Sequence, residues 1–196
     1  MVRILGVDPG TLVAGFGCLE AEFDLPRRTT GSAPLALRAG NVVRLDGGVG
    51  RDVRVLELGV LRLGGRDAPV AERLMALGDQ FRALLQRLQP TEIALEEAFS
   101  GKSVQAALRI GEARGVVLAE SARAGLCVHQ FPPARVKRSV TGHGAASKPS
   151  VAAMVSRLLP NGAGTGLPAD ATDAVAVALT RLEQRRSPLH RVMSGS

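Results

Sequence analysis

The chain has 196 residues, 45% of them apolar and 22% charged, which suits one well-cored soluble domain and is too short for two large ones. Its opening, MVRILGVD, reaches an aspartate too soon for a signal peptide, and no run of about 18 apolar residues is available to span a membrane. The net charge of +7 is unevenly placed, with 15 basic and 15 acidic side chains in residues 1–120 but 10 and 3 in residues 121–196, so a polyanion such as nucleic acid is expected at the C-terminal part, a solvated basic tail being the plainer reading.

In chain order, residues 3–8 (RILGVD) form an apolar run ending in Asp-Pro-Gly, the pattern of a strand followed by a turn, and residues 13–20 (VAGFGCLE) predict a second strand. Residues 24–52 are rich in Gly, Pro, Arg and Thr and read as a long hairpin excursion, with a further strand predicted at 53–63. Residues 68–90 carry apolar side chains at helical spacing, from Val70 through Leu77 and Phe81 to Leu88, and Pro90 stops that helix. TEIALEEAF (91–99) is the next strand. A helix over 102–124 presents Val104, Ala107, Leu108, Gly111, Gly115, Leu118 and Ala119 as a small or apolar face, whose glycines admit a close approach by the sheet or by a second subunit.

LCVHQF (126–131) is a fifth strand, and Pro132-Pro133 opens a short helical stretch. TGHGAAS is a glycine-punctuated loop, 148–159 a helix, PNGAGTG a second loop and 168–185 the last helix. Three strands followed by alternating helix and strand predict an α/β fold with a mixed five-stranded sheet flanked by helices. One domain is expected over 1–186, with 187–196 a basic, disordered tail. Cys18 and Cys127 lie in apolar runs without metal-ligand spacing and read as reduced core thiols of a cytosolic protein.

Four acids stand out. Asp8 and Glu96 each end a predicted strand, and ligands of α/β sheets gather outside the carboxyl ends of strands. Asp170 and Asp173 are three apart on the last helix and so share a face, after a stretch from Ser121 to Ala169 that has no acid at all. Four converging carboxylates repel one another unless cations neutralise them, and hard oxygen donors favour magnesium or manganese over zinc. Two such ions about 4 Å apart activate water and stabilise the leaving oxygen in phosphodiester hydrolysis. The competing explanations are a plain turn at Asp8 and a helix-dipole acid at Asp170. Asp173 sits among Ala174, Val175, Val177 and Leu179, where an unpaired carboxylate is costly.

VRILGVDPGTLVAGFG, IALEEAFSGKSVQAALRIGEARGVVLA, ARVKRSVTGHGAASKPSV and LPADATDAVAVAL resemble, in order and spacing, the signature segments of the RuvC family of Holliday-junction resolvases. The resemblance implies an RNase H-like fold, a homodimer, and hydrolysis of four-way DNA junctions by paired symmetric nicks that leave 5′-phosphate and 3′-hydroxyl ends. It implies Asp8, Glu96, Asp170 and Asp173 as catalytic acids holding two divalent ions, Mg2+ or Mn2+. It further implies RuvA and RuvB branch-migration proteins as partners, and a cytoplasmic, nucleoid-associated setting.

Lys137 and Lys148 match basic positions that the family uses near the scissile phosphate, and Lys102 and Arg114 are expected on DNA as well. The chain has 22 arginines but only these three lysines, all within the matching segments. Phe99 falls where the family places an aromatic against unstacked bases, with a core phenylalanine as the alternative. His143, between two glycines, reads either as an auxiliary ligand or acid or as an exposed loop histidine. Residues 24–52 exceed the family's usual connection and carry no motif that resembles it. Two rivals stay open: a junction-binding protein that does not cut, and an actin-like kinase suggested by GVDPGT, which lacks the second glycine-rich phosphate loop and the length of that class.

Overall fold

A computed structural model describes residues 1–22, 43–45, 53–97, 104–158 and 167–187, the segment 43–45 by its backbone alone. The elements run β1 (Val2–Asp8), β2 (Val13–Ala21), β3 (Val43–Leu45), β4 (Val53–Arg62), α1 (Val70–Leu88), β5 (Glu92–Glu96), α2 (Val104–Arg123), β6 (Cys127–Phe131), α3 (Pro133–Thr141), α4 (Lys148–Leu158) and α5 (Ala169–Arg186). The five predicted strands are all present, and a three-residue edge strand, β3, joins them inside the predicted hairpin excursion. The rest of that excursion, the PNGAGTG loop and residues 188–196 lie outside the described residues.

The sheet order is β3-β4-β2-β1-β5-β6, antiparallel from β3 to β1 and parallel from β1 to β6. Strand alternation sends Leu5, Val7, Phe16, Ile93 and Leu95 to one face, where Leu77, Phe81 and Leu84 of α1 and Val117 of α2 cover them. Ile4, Leu19 and Ala94 point to the opposite face, packed with Val136 of α3, Val155 of α4 and Val175 and Val177 of α5. The result is a helix–sheet–helix sandwich.

Alternation also decides which side the acids take. Ile4 and Asp8 share one face of β1, and Ala94 and Glu96 share the same face of β5; β1 and β5 pair in parallel with Val7 opposite Leu95. Asp8 and Glu96 therefore end neighbouring strands side by side, under α5.

That face of the sheet is stripped of side chains beneath α5. A Cβ at Gly15 would lie 1.9 Å from the Asp170 carbonyl oxygen, and one at Gly6 would lie 2.0 Å from that of Ala174. Gly17 meets Val175 in the same way. The helix backbone thus rests directly on β1 and β2. Its other half is held by Glu92 at the start of β5, whose carboxylate takes the Arg181 Nε at 2.6 Å and the Arg185 Nε at 3.1 Å. The Arg181 side chain is only 4% exposed, so this ion pair is almost wholly removed from water, and removing one partner would strand a buried charge.

Of the two approaches open to the small or apolar face of α2, that of the sheet is not taken: the face points outward, with Val104 and Leu108 77% and 63% exposed and nothing within 4 Å of a Cβ at Gly111 or Gly115. The sheet-ward face instead carries Ala113, Arg114, Val117, Glu120 and Ser121, because Glu120 is ion-paired to Arg82 of α1 and to Arg123. Cys127 is exposed on edge strand β6, and only Cys18 is a core thiol.

Candidate active site

The carboxyl ends of β1 and β5 and the first turns of α5 bring Asp8, Glu96, Asp170 and Asp173 to one edge of the sheet. Pro168 rather than an acid precedes the first helical residue of α5, and Asp170 stands in its first turn, where the helix dipole favours a carboxylate. Asp173, one turn on, is only 16% exposed at its side chain and flanked by buried Thr172 and Ala174.

Burial raises the Asp8 carboxyl from the ordinary range to about 7, and the neighbouring charges of Asp173, Glu96 and Asp170 push the same way against Lys148. Glu96 is raised too, by burial and then by Asp173, with Lys148, Lys137 and Arg114 opposing. The site is thus an acid cluster in want of positive charge.

Part of that charge is already there. Lys148, the first residue of α4, donates from Nζ to Asp173 Oδ2 at 2.7 Å, and this bond holds its ammonium above the usual range. Lys137 on α3 is half-buried and close enough to act on Glu96. The α3–α4 connection passes through Gly142 in a left-handed conformation, φ 83°, with its N–H on the Arg138 carbonyl. This turn brings the two lysine-bearing helices back toward the acids.

His143 is exposed on that connection, and its backbone N–H and carbonyl both meet the Thr141 hydroxyl. Arg114, expected on DNA, is 8% exposed, with its guanidinium on the Glu96 carbonyl and on Gln130 Oε1. Phe99 and Lys102 lie outside the described residues.

Among the described residues, no three His, Cys, Asp or Glu side chains close into a ready-made metal cage. The donor set nonetheless fits a hard divalent cation. It consists of carboxylates alone, two of them destabilised as anions by burial and by one another, and the lysine already bound to Asp173 marks the place where positive charge is taken.

The raised Asp8 carboxyl has a consequence for stability. The folded state holds the proton more tightly than the unfolded chain, so ionisation weakens the fold: the penalty is absent below about pH 4, grows as pH rises, and is complete above about pH 7. Its ceiling is roughly 4 kcal/mol at about 1.4 kcal/mol per pKa unit, reduced by solvent relaxation. Asp8→Asn in the presence of chelator is therefore expected to be more stable than the parent at pH 8 and equal to it near pH 4, as measured by denaturant unfolding. A stability difference that does not change with pH would contradict the burial of this charge.

A sheet of this order with carboxylates gathered at its strand ends, and lysines beside them, has the form of an RNase H-like fold with a candidate metal-dependent nuclease site. The family profile described as crossover junction endodeoxyribonuclease RuvC matches residues 33–181. A protein of that same description from Gluconacetobacter diazotrophicus is 38% identical over 196 residues, which cover all of this chain and 98% of the relative, and so includes the segment around Asp8. The chain belongs to the RuvC family. Its fold also matches the solved structure of Thermus thermophilus RuvC in complex with Holliday junction substrate, with a TM-score of 0.72, 27% identity, and coverage of 95% of this chain and 96% of that one. The yeast mitochondrial Holliday junction resolvase Ydc2, at 14% identity and a TM-score of 0.60, shares the fold.

Two features around the site go beyond what the sequence predicts. The bare glycine face was visible as Gly15 and Gly17 two apart in VAGFGC and as Gly6 in ILGVD, since period-two glycines leave one side of a strand open to close approach. The inward turn of Arg114 had no comparable signal, because the arginine answers to a backbone carbonyl on another element.

Proposed function

We propose that this chain is a divalent-metal-dependent endodeoxyribonuclease that resolves four-way (Holliday) junctions by a pair of symmetric nicks. The observation that carries this reading is the convergence of Asp8, Glu96, Asp170 and Asp173 at one edge of the sheet, with Asp8 raised to about 7 by burial and by the other three. When bound, two Mg2+ or Mn2+ ions would supply Lewis acidity at the attacking water and at the leaving 3′ oxygen.

The protein's own part is placement. Asp8 and Glu96 are fixed by hydrogen-bonded strands and Asp170 and Asp173 by a helix seated on glycines, so the four donors are held at set heights about the phosphate. Lys148 and Lys137 enter beside Asp173 and Glu96 and are placed to bind the non-bridging oxygens of the scissile phosphodiester. Opening the P–O3′ bond then leaves the 5′-phosphate and 3′-hydroxyl that the family leaves.

Paired nicks need two such sites, and each copy of the chain holds one. The outward stripe of α2, with Val104 and Leu108 exposed beside the open glycines Gly111 and Gly115, supports a homodimer through that helix. We further assign residues 1–186 to a single nuclease domain that acts on DNA in the cytoplasm beside RuvA and RuvB, on the strength of family membership. No helix among the described residues is long and apolar enough to cross a membrane.

Phosphate contacts should dominate binding, through Lys137 and Lys148 together with exposed Arg135 and Arg138. Junction affinity in chelator is expected to fall roughly a hundredfold between 50 and 200 mM salt, the loss that about four released phosphate contacts would give. A flat salt profile in fluorescence anisotropy would contradict it.

A further inference from the structure

Arg114 is the one charged side chain that α2 sends toward the strand ends. Its Nη1 donates to the backbone carbonyl of Glu96 and its Nη2 to Gln130 Oε1. These acceptors belong to the carboxyl ends of the two outer parallel strands, which pair with Glu96 opposite Phe131 and are joined again just beyond by the Glu97 N–H on the Phe131 carbonyl at 2.8 Å. One strand bears Glu96. The other runs through Pro132 into α3, which bears Lys137, a group near enough to act on the Glu96 carboxyl.

A guanidinium is a costly way to fill this place. Burial pushes its pKa down, against the pull of Glu97 and Glu96, where an apolar side chain would carry no such cost. What the cation supplies is a planar fork that holds two acceptors at a fixed separation, which a lysine ammonium cannot do.

We propose that Arg114 is a positioning residue of the nuclease site, which fixes the end of β5 to that of β6 and thereby sets the Glu96 carboxylate relative to Asp8 and Lys137 for divalent-ion binding. The inference deepens the metal-dependent reading of the acids and rests on it.

Mn2+ binding to the DNA-free protein, followed by calorimetry, tests it apart from activity, with junction affinity in chelator and the melting temperature measured alongside. Arg114→Gln is expected to weaken Mn2+ by about tenfold, the lower end of what loss of an outer-shell partner costs a metal site. Arg114→Lys should not restore it, and junction affinity should change by less than about twofold because no phosphate contact is lost. Gln130 is exposed, so Gln130→Ala keeps the fold and should show a smaller loss of Mn2+ in the same direction; it decides the matter if Arg114→Gln does not fold.

Unchanged Mn2+ affinity in the folded variants would overturn the proposal. So would weakened junction binding with a shallower salt slope, the mark of a phosphate contact. Failure of the unaltered protein to bind Mn2+ would instead remove the metal reading itself, and this inference with it.

Discussion

Asp8→Asn is expected to abolish divalent-metal-dependent nicking while junction binding survives. Asp8 sits between Glu96 on the next strand and the α5 acids, and burial first, then the charges of Asp173, Glu96 and Asp170, push its carboxyl upward. Asparagine keeps its size and removes its charge. A drop in nicking on the order of a thousandfold is expected, the scale on which loss of one preorganised charge-stabilising group acts. On the proposed reading, binding rests on the basic α3 and α4 side chains rather than on this carboxylate, and removing a negative charge that faces phosphates should leave affinity equal or slightly higher. Nicking near the level of the unaltered chain, measured on a labelled synthetic junction in Mg2+, would refute the assignment.

The second large effect belongs to Gly15→Ala. The added methyl carbon would stand 1.9 Å from the Asp170 carbonyl oxygen, a backbone atom that cannot rotate aside, so α5 must lift from the sheet. Overpacking of this kind costs about 1–3 kcal/mol. For a chain of this size that is a melting temperature lower by roughly 2–12 °C. Asp170 and Asp173 ride on the displaced helix, so Mn2+ affinity of the folded protein should fall as well. Gly65→Ala, where nothing lies within 4 Å of the added carbon, is the control expected to melt like the parent. Equal melting of Gly15→Ala and Gly65→Ala would show that α5 does not rest on the glycine face.

Both effects trace to features of very different legibility. Asp8 and Glu96 could be placed from sequence because each closes an apolar strand-like run, and strand ends are local. Asp170 and Asp173 could be placed on one face because helical spacing is local as well. That the two pairs meet depends on β1 pairing with β5 across three intervening strands and a helix, and no window of sequence contains that pairing. It was the order of the four matching segments that carried it.

The orientation of α2 shows why the remainder was hidden. Val104, Leu108, Gly111 and Gly115 form a small or apolar face that the sequence leaves open to the sheet or to a second subunit; they point outward, while Arg114 and Glu120 point inward. Each inward charge is matched by a partner on another element: Arg82 for Glu120, the Glu96 carbonyl and Gln130 for Arg114. The same holds for Glu92, whose partners Arg181 and Arg185 lie about 90 residues further along the chain. Polarity is a guide to exposure only until a partner is found, and partners at that separation are a property of the fold.

The most direct measurement is of the unaltered protein on a synthetic four-way junction with each strand labelled in turn, in Mg2+ and in chelator. Symmetric nicks in two opposite strands, dependent on the metal and ending in ligatable 5′-phosphate and 3′-hydroxyl groups, are the expected result. Tight junction binding with no nicking in either Mg2+ or Mn2+, or nicking that persists in chelator, would contradict a metal-dependent resolvase built on these four acids.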